Sequence, residues 1–208
     1  MIVLGIESTA HTFGIAILDG KQVLSNKKQA YTTETGGMVP AQVADHHVKI
    51  CQDVLRDALE EAGKDSTEID LIAYSRSPGL GHALRIGAAV ARMLALKLGK
   101  PLVGVNHCIA HLEIGRLLTP AHDPVLLYAS GANTQVIAYE GGRYRIFGET
   151  LDIGIGNFLD NLGRALDLGF PAGPKIEQLA KQAAEKEMPL IELPYTVKGM
   201  DVSFGGLL

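Results

Sequence analysis

Residues 2–25, IVLGIESTAHTFGIAILDGKQVLS, and residues 124–147, PVLLYASGANTQVIAYEGGRYRIF, are two copies of one pattern. A gapless shift of 122 positions lays Val3-Leu4 on Val125-Leu126, Ser8 on Ser130 and Thr12 on Thr134. The same shift lays Ile15-Ala16 on Ile137-Ala138 and Asp19-Gly20-Lys21 on Gly141-Gly142-Arg143. Each copy reads as a buried strand, a polar turn, a second strand, a two-residue hairpin and a third strand. A duplicated three-stranded meander followed by crossover helices predicts two similar α/β lobes, over residues 1–123 and 124–208. In such a pair each polar turn can offer backbone N–H groups to a phosphate in a cleft. Those turns are Glu7-Ser8-Thr9 and Ser130-Gly131-Ala132-Asn133. Two plain hairpins would give the same pattern.

The segments between the copies alternate in type. Residues 27–38 are polar and contain Gly36-Gly37, which predicts a loop. Pro40 opens a helix to residue 62 with apolar positions at Val43, His47/Val48, Cys51, Val54/Leu55 and Ala58/Leu59, and Gly63 stands where a C-terminal cap belongs. A strand over 69–74 leads to the tight loop Ser77-Pro78-Gly79-Leu80-Gly81 and a small-residue helix over 83–98, stopped by Gly99. Beyond the second meander, a helix over 156–168 carries Asp160, a Pro/Gly loop spans 169–174, and a helix over 175–185 carries Glu177. A carboxylate early on a helix is more often solvated or favoured by the helix dipole than a ligand contact. The chain ends in an apolar, Gly-containing run, and the second lobe reads as its N-terminal part only.

Residues 106–116, NHCIAHLEIGR, follow a short strand at 102–105, with Asn106 as an N-cap candidate. His107 and His111 are four residues apart, so both imidazoles leave one helix face and can converge on an ion. With seven histidines in the chain, chance alone also produces such a pair. A zinc protease is a weak reading, because that motif needs Glu directly after the first His and Cys108 stands there.

Composition narrows the partners. A net charge of −4 argues against a protein that coats nucleic acid, but leaves open RNA bound through a local patch or a partner. Two cysteines in different elements make no disulfide framework and fit a reducing compartment. The N-terminus has no basic region and meets Glu7 too early for a signal peptide, and no apolar run is long enough for a membrane. A cytoplasmic protein is expected.

Six segments together resemble one family: GIESTAHTFGIAI, SPGLGHALRIGAA, VNHCIAHLEIGR, LYASGANTQVIAY, GFPAGPKIE and YTVKGMDVSFGGLL. It is the universal tRNA N6-threonylcarbamoyladenosine transferase family, in the type of the archaeal and eukaryotic KEOPS catalytic subunit. The resemblance covers essentially the whole chain, which is similar to roughly the first two-thirds of a usual member. It implies the actin/Hsp70-like fold. It also implies transfer of threonylcarbamoyl from threonylcarbamoyl-adenylate to the N6 amine of the adenosine beside the anticodon of tRNA. His107, His111 and Tyr128 are implied as ligands of one metal ion, iron or zinc, completed by a carboxylate outside this chain. Contacts to an adenylate or ATP-type nucleotide are implied at Tyr128, Ala129, Ser130, Gly131, Ala132, Asn133, Asp160, Gly173 and Glu177. The implied partners are tRNA, a small atypical kinase subunit and other KEOPS subunits. Ala132 and Ala172 stand where the family usually has glycine, and Gly205 where it usually has serine. No residue stands out as a general base. A phosphotransferase on the same fold, or a non-catalytic platform for a kinase partner, are the alternatives.

Overall fold

The first strand, β1 (Ile2–Glu7), pairs antiparallel with β2 (Thr12–Asp19), and β2 pairs with β3 (Gln22–Ala30). This first meander belongs to a computed structural model that describes residues 1–34 and 38–208. Alternation sets its inner face: Phe13, Ile15 and Ile17 of β2 are buried, with half-buried residues between them. β3 runs further than its apolar residues do. Lys27 and Lys28 were expected in a loop, yet they pair with Ile15 and Gly14. An edge strand needs only backbone pairing on one side; Lys28 is exposed there, and Lys27 pairs with Glu61. The expected loop at Gly36-Gly37 lies outside the described residues.

Crossover helices then build the sheet outward from β1. α1 (Pro40–Ala62) opens with proline in its first turn and ends at Gly63 in the left-handed conformation, φ +59°. β4 (Leu71–Ser77) lies parallel to β1, and after α2 (Gly81–Leu98) comes β5 (Leu102–Asn106), parallel to β4. The order is β3-β2-β1-β4-β5. Val54 and Ala58 of α1 join Ala91, Leu94 and Ala95 of α2 over Leu4, Ile6, Ile69 and Ile72 in one aliphatic cluster. Within α1, His47 turns inward and is fully buried, while its neighbour Val48 is exposed. The His47 Nε2–H donates to the Ala10 carbonyl at 2.9 Å, and burial lowers its pKa, so a neutral imidazole braces the β1–β2 turn.

The second meander is a separate sheet of β6 (Leu126–Ala129), β7 (Thr134–Glu140) and β8 (Arg143–Glu149). Its hairpin needs Gly141 and Gly142, whose φ values are +59° and +79°. α3 (His107–Leu118) precedes this sheet, and α4 (Ile155–Ala165) and α5 (Gly173–Glu185) follow it. The closing run forms a hairpin of β9 (Val197–Lys198) and β10 (Asp201–Val202). Asp152 fastens it, accepting from Ser203 Oγ at 2.6 Å and from the Phe204 and Gly205 amides at 3.0 and 2.9 Å. The chain divides into two units. One is Met1–Thr32 with Met38–Leu117, and the other is Leu118–Leu208 with Thr33 and Glu34. The sequence places that division after residue 123. Thr33 goes with the second unit because it exchanges backbone hydrogen bonds with Phe170 at 3.1 and 3.2 Å.

Small residues in α2 let it approach β1 closely. A methyl group at Gly87 would sit on the Ser8 hydroxyl and 3.0 Å from Ser8 Cβ, whereas one at Gly81 would meet nothing within 4 Å. Two glycine-to-alanine changes in one helix should therefore act in opposite directions. Gly87→Ala is expected to destabilise by about 1–3 kcal/mol through overpacking, and Gly81→Ala to stabilise by up to about 1 kcal/mol. Urea-unfolding midpoints of the two variants check this.

Candidate functional site

Asn106 caps α3 as expected: its Oδ1 accepts from the Cys108 and Ile109 amides at 2.9 and 3.2 Å. That cap fixes where the helix begins, and so places His107 in the first turn with His111 one turn on. The two rings meet edge to face, centroids 4.5 Å apart. Their Nε2 atoms are 3.2 Å apart. Two nitrogens bound to one ion at about 2.1 Å would lie about 3.0 Å apart at a right angle and about 3.4 Å apart in a tetrahedron. The pair fits either geometry. Burial, then the proximity of the His107 ring, lowers the pKa of His111 and favours the neutral form that can ligate. Two histidines alone do not close a site. Among the described residues no group of three or more His, Cys, Asp or Glu side chains is placed to hold an ion.

Behind His107 stands a carboxylate. Glu7 Oε2 accepts from His107 Nδ1 at 3.1 Å and from the Ser75 hydroxyl. Its Oε1 accepts from the Thr9 amide at 2.6 Å and from the Thr9 hydroxyl. Burial alone would push this carboxyl up, but the bonds from His107, Ser75 and Thr9 outweigh it and hold the pKa at about 2. This corrects the reading of the first polar turn. The Thr9 amide, expected to be offered to a phosphate, is spent on the chain's own Glu7. The loop after β4 locks the turn further: Leu80 N donates to Thr9 O at 2.7 Å, and Gly79 lies so close that a methyl group would come within 2.6 Å of that oxygen.

The second turn is built differently, because the repeat places Ala129 where the first copy has Glu7. Tyr128 is buried in β6 opposite Gln135, and Ala129 ends the strand. Ser130 and Asn133 close the turn on themselves, through Ser130 N to Asn133 O at 2.8 Å and Asn133 N to Ser130 Oγ at 3.2 Å. α4 docks on it: Gly156 N donates to Ser130 O, Asn157 N to Gly131 O, and Ile155 N to Thr134 Oγ1. Methyl groups at Gly154 or Gly156 would meet the Gly131 backbone within 2.5–2.9 Å, so both glycines serve this approach. Non-glycine residues with positive φ are Asp167 and Glu187 among the described residues, so Ala132 keeps an ordinary backbone and its methyl is tolerated.

Asp160 faces the Pro/Gly loop. Its Oδ1 accepts from the Ala172 amide at 2.9 Å, so one carboxylate oxygen positions the entry to α5 at Gly173. The Ala172 methyl packs on Gly163 of α4, whose missing side chain makes the room. Glu177 is exposed and paired with Lys181 at 2.6 Å. The site residues therefore fall into two sets. His107 and His111 lie in the first unit with Glu7, Thr9 and Ser75. Tyr128, Ala129, Ser130, Gly131, Ala132, Asn133, Asp160, Gly173 and Glu177 lie in the second. Sequence reasoning missed Glu7 as a partner of His107, although its replacement by Ala129 in the second copy was a visible signal.

Residues 22–208 match the family model of TsaD, tRNA N6-adenosine threonylcarbamoyltransferase. Over all 208 residues the chain is 58% identical to the tRNA N6-adenosine threonylcarbamoyltransferase of Thermococcus kodakarensis, of which it covers 62%. It is 51% identical over its length to a probable bifunctional tRNA threonylcarbamoyladenosine biosynthesis protein of Thermoplasma volcanium, of which it covers 39%. The chain thus spans less than two-thirds of these relatives. Among solved structures, the ethanolamine utilization protein EutJ of Carboxydothermus hydrogenoformans superposes with a TM-score of 0.52 at 14% identity, over 91% of this chain and 75% of that one. YeaZ from Pseudomonas aeruginosa gives 0.50 at 19% identity, over 75% and 70%. These likenesses concern the fold, which is actin/Hsp70-like. No helix among the described residues is long and apolar enough to cross a membrane.

The bonds to Glu7 set a pH dependence. Its folded pKa of about 2 lies below the usual 4.5, so the unfolded chain binds the proton first as pH falls. The stability it contributes is complete above pH 4.5 and drains away toward pH 2. Glu7→Ala should lower stability at neutral pH and flatten the profile across that interval, as read from urea midpoints.

Proposed function

The chain belongs to the tRNA N6-adenosine threonylcarbamoyltransferase family, and from that premise we propose that it acts in N6-threonylcarbamoylation of the adenosine beside the anticodon of tRNA. The observation that carries the reading is the 3.2 Å approach of the His107 and His111 Nε2 atoms on one face of α3. The donor set fits a metal: two imidazoles with nearly crossing rings, one of them backed by a carboxylate. His107 and His111, joined by Tyr128, would hold iron or zinc. Bound there, the ion would supply Lewis-acid polarisation of the threonylcarbamoyl group.

The chemistry asks for positioning. Threonylcarbamoyl-adenylate is a mixed anhydride, so AMP leaves readily, whereas an exocyclic adenine amine is a poor nucleophile. The N6–carbonyl bond forms, the carbonyl–phosphate oxygen bond breaks, and N6 loses a proton. Holding amine and carbonyl in line is the main contribution open to this chain. The Ser130–Asn133 turn is the seat we assign to the phosphate, through the Gly131 and Ala132 amides, because the Ser130 and Asn133 amides are bonded within the turn. Asp160 and Glu177 are candidates for the ribose hydroxyls, with Gly173 allowing close backbone approach. Glu177 must exchange its Lys181 partner to serve there. The tRNA is expected to bind partly through partners, among them a small atypical kinase subunit and other KEOPS subunits, because this chain is acidic. Relatives at 51% identity or more carry names of this modification, and no observation favours a phosphotransferase or a non-catalytic platform.

In the full-length protein, His107→Ala with His111→Ala should remove bound metal and abolish transfer while leaving the circular-dichroism spectrum unchanged. Tyr128→Phe should weaken metal binding less. Metal content per chain, with transfer assayed beside it, checks both. Full transfer by a metal-free double variant would contradict the metal-centred reading and leave only the nucleotide site.

A further inference from the structure

The three parallel strands β1, β4 and β5 deliver Glu7, Ser75 and His107 to one end of the sheet. Ile6 is in register with Tyr74, and Ser75 with Val105, so Glu7 and Ser75 follow side by side, and His107 follows the end of β5. Carboxyl ends of parallel strands are where α/β sheets gather functional groups. Glu7 there accepts four hydrogen bonds, which matches the lone-pair sites a carboxylate has. Thr9 holds one oxygen through both its amide and its hydroxyl. The other oxygen is thereby aimed at Ser75 and His107.

We propose that Glu7 is a positioning residue that fixes His107 in the Nδ1–H tautomer, so that its Nε2 lone pair is presented beside His111 Nε2. The inference rests on the metal reading of His107 and His111 given above. Its logic is that an ionised carboxylate can only accept. The His107 nitrogen 3.1 Å from Glu7 Oε2 must therefore donate, and a neutral imidazole has one N–H. A metal needs the unprotonated nitrogen. The carboxylate thus prepares the ligand before any ion arrives, and it holds the ring at the angle where the two Nε2 atoms converge. Glu7 has no counterpart in the second copy of the repeat, which carries Ala129, as expected if the residue serves the histidines instead of the meander.

A purely structural role, with Glu7 only bracing the Thr9 turn, predicts something different for Glu7→Gln. The two Thr9 donors require the amide oxygen, so the amide nitrogen must face His107. Nδ1 then becomes an acceptor, the proton moves to Nε2, and the ligating lone pair is lost. The experiment uses the full-length protein. Long-range 1H–15N spectra of the metal-free form report the His107 tautomer, and competition titration with Zn2+ reports affinity. The unaltered protein should show Nδ1–H at His107. Glu7→Gln should show Nε2–H and bind zinc about 10–100-fold more weakly. Ser75→Ala, which removes a bond to Glu7 but not the one from His107, should keep the tautomer and weaken zinc less. An Nε2–H tautomer in the unaltered protein would overturn the proposal even if Glu7→Gln failed to fold. So would a folded Glu7→Gln protein with unchanged zinc affinity. Failure of the unaltered protein to bind zinc at all, with its His107 and His111 variants indistinguishable from it, would overturn the metal reading and this proposal with it.

Discussion

An ionised carboxylate inside a polar turn must find donors, and Glu7 finds four: two on Thr9, one on Ser75 and one on His107. Those partners come from the β1–β2 turn, the end of β4 and the start of α3. The demand of one side chain therefore ties together three segments far apart in sequence. Other local features follow from it. Thr9 must stay where Glu7 needs it, so the loop after β4 packs against it at Gly79 and bonds it through Leu80. His47 braces the same turn through the Ala10 carbonyl. The His107 ring is oriented from behind, and its Nε2 edge meets His111.

Duplication supplied the frame, and divergence gave the two copies different chemistry. Both meanders keep the strand–turn–strand–hairpin–strand order, yet the first turn is filled by its own carboxylate and the second is closed by Ser130 and Asn133. In the second copy, α4 spends its first amides on that turn and Asp160 spends one oxygen on Ala172. These internal bonds keep each turn in a single geometry.

Much of this was legible in the sequence, for local reasons. Pro40 and Gly63 bound α1 because one pre-sets φ and the other tolerates the left-handed region. Asn106 marked the start of α3 because its side chain can satisfy amides two and three residues on. The i,i+4 histidines could be placed together for the same reason. What was not legible depends on contacts distant in sequence. The lysines of β3 read as loop because pairing with β2 leaves no trace in their own polarity. Glu7 read as a turn residue because its partners Ser75 and His107 are remote in the chain. Gly87 sat within a small-residue helix and Gly156 at a helix start, because the Ser8 side chain and the Gly131 backbone that they approach are distant in sequence.

The central claim is that His107 and His111 form the imidazole half of a metal centre prepared by Glu7. X-ray absorption at the metal edge of the zinc-loaded full-length protein tests it most directly. The account predicts imidazole scattering from two nitrogen ligands at about 2.0–2.1 Å, lost when both histidines are replaced. A first shell made only of oxygen or sulfur, unchanged by those replacements, would contradict it.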